Sequence, residues 1–203
     1  MAIKNLVFDI GNVLLAFCWE KHLTKLGMSG EIFDRVAQAT VKDPLWNEMD
    51  RGVMSSEELL KGFIRNDPGV EQEIRRMVAD LYGIVEEYPY TESWLLQLKE
   101  SGYGIYALSN YSEQAYHDTR EKMRFLDLLD GYILSYREKL IKPDPAIYRL
   151  LLSRYHLNAS ECIFMDDTQA NVDMAIQCGM EAFLFKGRDS AVRELVRRGV
   201  DTR

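Results

Sequence analysis

Three aspartates, a serine and an asparagine stand where short apolar runs break off, and the aspartates together could hold a cation beside a phosphate. Leu6-Val7-Phe8 stops at Asp9, Ala107-Leu108 stops at Ser109-Asn110, and Phe164-Met165 stops at Asp166-Asp167. Each run reads as a β-strand with a polar end, and in an open parallel sheet ligands bind in the crevice beyond the carboxyl ends of the strands. Three carboxylates converging there would repel one another, and partial burial would penalise each one further. A hard divalent cation is the economical compensation. Mg2+ suits a site built from one or two carboxylates plus a substrate phosphate. Singly the signals are weak: an Asp after a strand is a turn or cap residue in most chains, Ser109-Asn110 is a turn signal, and Lys142 before Pro143 is a solvated lysine. The pair Asp166-Asp167 is harder to dismiss, because two acids directly after an apolar strand have no packing rationale.

The elements that must position these residues alternate along the chain. The spacing predicts helices near Trp94–Leu98, over 113–125, 145–155 and 170–178, and strands over 103–108, 132–135, 162–165 and 182–185. Strand-helix alternation with short links implies a mostly parallel sheet. Residues 17–88 differ in texture. Apolar residues there fall at helical spacing, as in Leu59, Leu60, Phe63 and Ile64, and Pro44, Gly52, Pro68 and Gly69 punctuate them. Ser55 or Ser56 ahead of Glu58 reads as a capped helix start. The block reads as a helical insertion. The tail 186–203 reads as a solvated terminal helix rather than a binding patch.

The chain has 203 residues, of which 47% are hydrophobic and 28% charged, which excludes disordered and collagen-like classes. A chain this size buries about 70% of its unfolded surface, enough for a core without disulfides. A net charge of −7 argues against nucleic-acid partners. No apolar stretch approaches a membrane span, and residues 1–6 carry no secretory signal pattern. Cys18, Cys162 and Cys178 lack close spacing and read as small core residues of a reducing compartment, so a cytoplasmic location is expected. His22, His117 and His156 lack ligand spacing. A monomer is the expected state, with a dimer as the alternative.

Taken in order, four segments resemble the motifs of the haloacid dehalogenase-like hydrolase superfamily: Phe8-Asp9-Ile10-Gly11-Asn12-Val13, Leu108-Ser109-Asn110, Lys142-Pro143-Asp144, and Phe164-Met165-Asp166-Asp167-Thr168 with Asn171 following. The resemblance covers nearly the whole chain, and the Asp-x-Gly-Asn form resembles the sugar-1-phosphate phosphatase group. It implies an α/β fold with a Rossmann-like parallel sheet core, residues 1–16 and 89–203, and an inserted all-helical cap, residues 17–88. It implies that Asp9 is the nucleophile, forming an aspartyl-phosphate. Mg2+ would be held by Asp9, the Gly11 carbonyl and Asp167, with Asp166 beside them. The Ser109 hydroxyl, the Asn110 backbone N–H and the Lys142 ammonium would bind the transferring oxygens, Asn12 would be a supporting residue, and Asn171 would orient Lys142 or its loop. The substrate implied is a small phosphorylated metabolite, a sugar phosphate above all.

One departure stands out. The commoner phosphatase pattern has a second Asp two residues after the nucleophile, serving as general acid and then base, and here that position is Gly11. Such help is worth about 10²–10⁴-fold in rate. Two other readings follow. A 2-haloacid dehalogenase needs neither metal nor leaving-group acid, although Asp166-Asp167 would repel its carboxylate substrate. A catalytically silent module would bind a phosphometabolite without turnover. In the inserted block, Trp19, Trp46 and Met49 are candidates to line a pocket, set against their ordinary role as core.

Overall fold

The computed structural model describes residues 2–202, so the outermost residues of the two terminal stretches, Met1 and Arg203, lie outside the described residues. Five strands form one parallel sheet: β1 (Asn5–Phe8), β4 (Gly104–Ser109), β5 (Gly131–Leu134), β6 (Cys162–Asp166) and β7 (Glu181–Leu184), in the order β5-β4-β1-β6-β7. Two further strands, β2 (Leu15–Phe17) and β3 (Val85–Glu87), pair antiparallel in a separate ribbon.

β1 lies at the centre of the sheet, and Leu6, Val7 and Phe8 are fully buried. A central parallel strand is covered on both faces, which is why it reads as a continuous apolar run. Successive side chains point to opposite faces. Leu6 and Phe8 join the core on one side with Ile105, Ile163, Trp94 and Leu195, while Val7 joins the other with Leu108, Phe164, Tyr148 and Leu151. Phe8 stands opposite Ala107 on β4 and Met165 on β6. One or two residues further on, all three strands reach their polar ends together.

Five helices lie between β2 and β3 and add no strand to the main sheet: α1 (Trp19–Lys25), α2 (Gly30–Ala39), α3 (Leu45–Arg51), α4 (Ser56–Asn66) and α5 (Glu71–Ala79). Ser55 caps α4: its hydroxyl accepts the Glu58 N–H, and the Glu58 carboxylate accepts the Ser55 N–H, as the spacing predicts. The block 17–88 is not wholly helical, however. Phe17 and Val85–Glu87 belong to the ribbon, too short a pattern to stand out among helices.

The rest of the chain supplies α6 (Thr91–Glu100), α7 (Glu113–Thr119), α8 (Ser135–Glu138), α9 (Pro145–Arg154), α10 (Gln169–Gln177) and α11 (Arg188–Arg197). The helix expected over 113–125 stops at Thr119 and continues as a 3-10 stretch, Arg120–Leu128, broken at Met123. Thr119 turns its hydroxyl back onto the Ala115 carbonyl (2.5 Å), a bond that competes with regular helix geometry. The terminal helix α11 is amphipathic rather than freely solvated, since Ala191 and Leu195 are buried in the core. No helix among the described residues is long and apolar enough to cross a membrane.

Candidate active site

Asp9 is the first residue past β1 and continues the ladder by donating its N–H to the Met165 carbonyl (2.9 Å). Its side chain is 7% exposed. Asp9 Oδ1 accepts the Ile10 N–H (2.7 Å) and lies 2.8 Å from Lys142 Nζ. Lys142 Nζ also donates to Asp166 Oδ2 (2.6 Å), so one buried ammonium is shared by two buried carboxylates. Burial raises the Asp9 pKa, and the Asp166 charge adds to that; Lys142 and a hydrogen bond from Ser109 oppose it. Burial alone would lower the Lys142 pKa, but Asp166 and Asp9 outweigh it and hold the ammonium charged.

Each partner is itself held in place. Asn110 clamps the Lys142 backbone, accepting its N–H (2.7 Å) and donating to its carbonyl (3.0 Å). The Asn110 side chain is therefore occupied in fixing Lys142. Ser109 is buried at the end of β4, beside Asp9. Asp166 is fully buried, and both its oxygens are engaged: Oδ1 by the Thr168 N–H (2.8 Å) and Asn171 Nδ2 (3.0 Å), Oδ2 by Lys142 and Asn171. Asn171 thus reaches Asp166 instead of Lys142 or its loop, and orients the lysine only through that carboxylate. Tyr148 fixes this turn by donating its hydroxyl to the Asn171 carbonyl (3.0 Å).

Asp167 is partly exposed at the same crevice, and Asn12 Nδ2 donates to its Oδ2 (2.8 Å). Asn12 sits at φ 56°, a left-handed conformation that Asn tolerates better than most residues. One ligand oxygen each from Asp9, Asp166 and Asp167 can be chosen so that all three lie within 4.8 Å of one another. With Lys142 as counter-ion, three carboxylates leave an excess of two negative charges at one point. The Ile10 N–H and Lys142 Nζ both meet Asp9 at Oδ1, and Asp167 retains acceptor capacity. The donor set therefore fits an oxygen-seeking divalent ion, with Asp166 the most heavily committed of the three.

A cavity of about 270 Å³ opens over these groups. Its floor includes Asp9, Gly11, Asn12 and Asp167, and its walls include Phe17, Trp46, Ile84, Val85 and Tyr111. A larger cavity of about 650 Å³ lies beside it and holds none of the carboxylates, so the chemistry selects the smaller one. Of the three expected lining residues, Trp46 faces the site cavity, Met49 faces the larger one, and Trp19 packs on Phe33 at 5.7 Å between ring centres.

One functional candidate escaped the sequence reading. Asp50, near the end of α3, is half-buried and lines the site cavity with Asp9. Burial pushes its pKa up to about 7, with the Asp9 charge adding and Lys142 opposing. A signal existed. An acid in the last turn of a helix opposes the helix dipole and needs another reason to be there.

A family model described as haloacid dehalogenase-like hydrolase matches residues 3–179. The chain is 27% identical over 179 residues to a sesquiterpene phosphatase of Aspergillus oryzae, covering 87% of each. It is 26% identical over 191 residues to D-ribitol-5-phosphate phosphatase of Bacteroides thetaiotaomicron, covering 89% of this chain and 91% of the relative. The crystal structure of a HAD family enzyme from the same species, in complex with magnesium and inorganic phosphate, shares the fold with a TM-score of 0.73. That likeness holds at 21% identity over 94% of this chain and 99% of the other. The family match spans every crevice residue from Asp9 to Asn171, and the chain belongs to the haloacid dehalogenase-like hydrolases.

Proposed function

We propose that this hydrolase is a Mg2+-dependent phosphatase of small phosphomonoesters, sugar phosphates among them, working through an aspartyl-phosphate on Asp9. The observation that carries the reading is the buried Asp9–Lys142–Asp166 triad beside a third carboxylate, Asp167. The two phosphatase relatives support phosphoric monoester hydrolysis.

Asp9, Asp167 and the Gly11 carbonyl would hold Mg2+, with Asp166 adjacent. The ion supplies charge neutralisation between a carboxylate nucleophile and a phosphate dianion. Lys142 and Ser109 bind the transferring oxygens where negative charge accumulates, which is the main work of phosphoryl transfer. Asp166 and Asn110 keep the Lys142 ammonium charged and aimed. Asp9 attacks phosphorus, the ester oxygen leaves, and water then cleaves the acyl phosphate and frees Asp9. Residues 1–16 and 89–203 act as the catalytic core and 17–88 as a cap that covers the intermediate and excludes bulk water. The ribbon of β2 and β3 serves as the cap's stalk. The enzyme works as a cytoplasmic monomer, which light scattering tests for oligomeric state.

The apolar walls Phe17, Trp46, Ile84 and Val85 favour a second leaving group, an apolar alcohol. The test is phosphate release from a panel of sugar, polyol and apolar alcohol phosphates, with Mg2+ and with EDTA. Mg2+-dependent release that disappears in Asp9→Asn is expected. Turnover in that variant equal to the wild type would end the proposal.

A further inference from the structure

Cleaving an alkyl phosphate sends a poor leaving oxygen into a partly dry site, and that oxygen needs a proton. The position two residues past Asp9 is Gly11, which has none to give. The other ionisable groups of the carboxylate cluster already have partners: Lys142 has Asp9 and Asp166, Asp166 has also Asn171, and Asp167 has Asn12. Asp50 is different. Among the described residues no hydrogen bond or ion pair engages its carboxyl, although it lines the same 270 Å³ cavity as Asp9.

The backbone that carries Asp50 is pinned to the segment around α8. Its carbonyl accepts the Ser135 hydroxyl (2.5 Å), and the same Ser135 oxygen accepts the Tyr111 N–H (2.9 Å). Two residues on, the Gly52 carbonyl accepts from Lys139 Nζ. Gly52 itself is left-handed at φ 71°, and a Cβ there would come 2.8 Å from the Tyr136 carbonyl oxygen. The turn after α3 therefore lies directly against α8, and Asp50 is held at the cavity by the core although it belongs to the insertion.

We propose that Asp50 is the general acid and base of the reaction, supplying from α3 the carboxyl that the first motif lacks. This rests on the phosphatase reading. In the first step an Asp9 oxygen bonds to phosphorus, the ester P–O bond breaks, and the Asp50 proton goes to the leaving oxygen, releasing a neutral alcohol. In the second step the Asp50 carboxylate takes a proton from water as the water oxygen bonds to phosphorus. The Asp9–phosphorus bond then breaks and inorganic phosphate leaves, with Asp50 protonated again.

The charges around Asp50 suit this cycle. Burial favours its protonated form, the Asp9 charge adds to that and Lys142 opposes it, which leaves it near 7, where a group can both give and take a proton. Asp167 lines the same cavity and is hydrogen-bonded to Asn12. The Tyr111 phenol is pushed up to about 12 and stays neutral. Lys139 is spent on Gly52, and on α3 itself Arg51 pairs with Glu48 (3.1 Å).

The test compares an alkyl phosphate with 4-nitrophenyl phosphate, whose leaving group needs no proton, in the Mg2+-loaded full chain. Asp50→Asn is expected to lose about 10²–10⁴-fold in kcat/KM on the alkyl ester and far less on the aryl ester. Retained aryl turnover also reports that the variant is folded, and Asp50→Ser read the same way covers intolerance of Asn. Equal losses on both esters in a folded variant, or no loss on either, would overturn the assignment. Failure of the phosphatase reading is separate, since then the wild type releases phosphate from neither ester.

Discussion

Asn12 joins two distant parts of the chain: its amide donates to Asp167 Oδ2 at 2.8 Å, across 155 residues of sequence. Its carbonyl oxygen meanwhile accepts the Phe17 N–H (3.1 Å), at the base of the ribbon. A carboxylate with such a partner is fixed in orientation before an ion arrives. Partners of this kind are worth about 10–100-fold in metal affinity. Asn12→Ala should therefore raise the Mg2+ concentration for half-maximal activity by about tenfold or more, with kcat at saturating Mg2+ falling less. A titration of activity against Mg2+ decides it.

Removing Lys142 should cost stability as well as activity. Lys142→Met leaves Asp9 and Asp166 buried together without their shared cation. Losing one partner of a buried ion pair costs about 3–5 kcal/mol. Urea unfolding of the metal-free protein near pH 7 should show a loss of that order. Adding Asp166→Asn should restore part of it, because one uncompensated charge is gone. If the double variant is no more stable than the single one, Asp166 carries no such penalty.

Asp50 gives a pH dependence with a definite sign. Its folded pKa, near 7, lies above the unfolded value of about 3.9. The folded state then binds more protons between those values, so stability falls as pH rises through that window. Relative to wild type, Asp50→Asn should gain stability as pH goes from 5 to 8, by on the order of 1–3 kcal/mol after allowing for partial exposure. Thermal melts in EDTA across that range measure it. A constant difference between the two proteins would mean that Asp50 ionises as freely folded as unfolded.

Mg2+ should also stabilise the fold by mass action. At a concentration 100 times its Kd, an ion that binds only the native state adds about 2.7 kcal/mol. Asp167→Asn should lose most of this shift while its metal-free melting temperature stays close to wild type, because Asp167 is partly exposed and takes no part in the buried ion pairs. Differential scanning calorimetry with and without Mg2+ separates the two effects.

Much of the site was legible because strand ends announce themselves. Phe8, Leu108 and Met165 are buried, and the polar residues after them could only gather at one edge of a parallel sheet. Lys142 was legible only through its resemblance to a motif, since nothing local marks a lysine before proline as buried. The partner of Asn171 was misjudged because Asp166 turns inward while Asp167 turns out, and adjacent acids in one sequence look alike. Asp50 was missed because its role depends on α3 docking at α8, a contact between residues 85 positions apart. The strands of the ribbon are three residues each, too short for alternation to register.

Ser135 has a single hydroxyl proton and two carbonyls within reach, Asp50 at 2.5 Å and Tyr111 at 3.3 Å. It can serve only one of them fully at a time. Should the α3 end swing away from α8, the proton passes to the Tyr111 carbonyl and no buried donor is orphaned. Undocking then costs Ser135 no bond, which leaves the Lys139–Gly52 bond as the polar contact that holds the turn after α3 against α8.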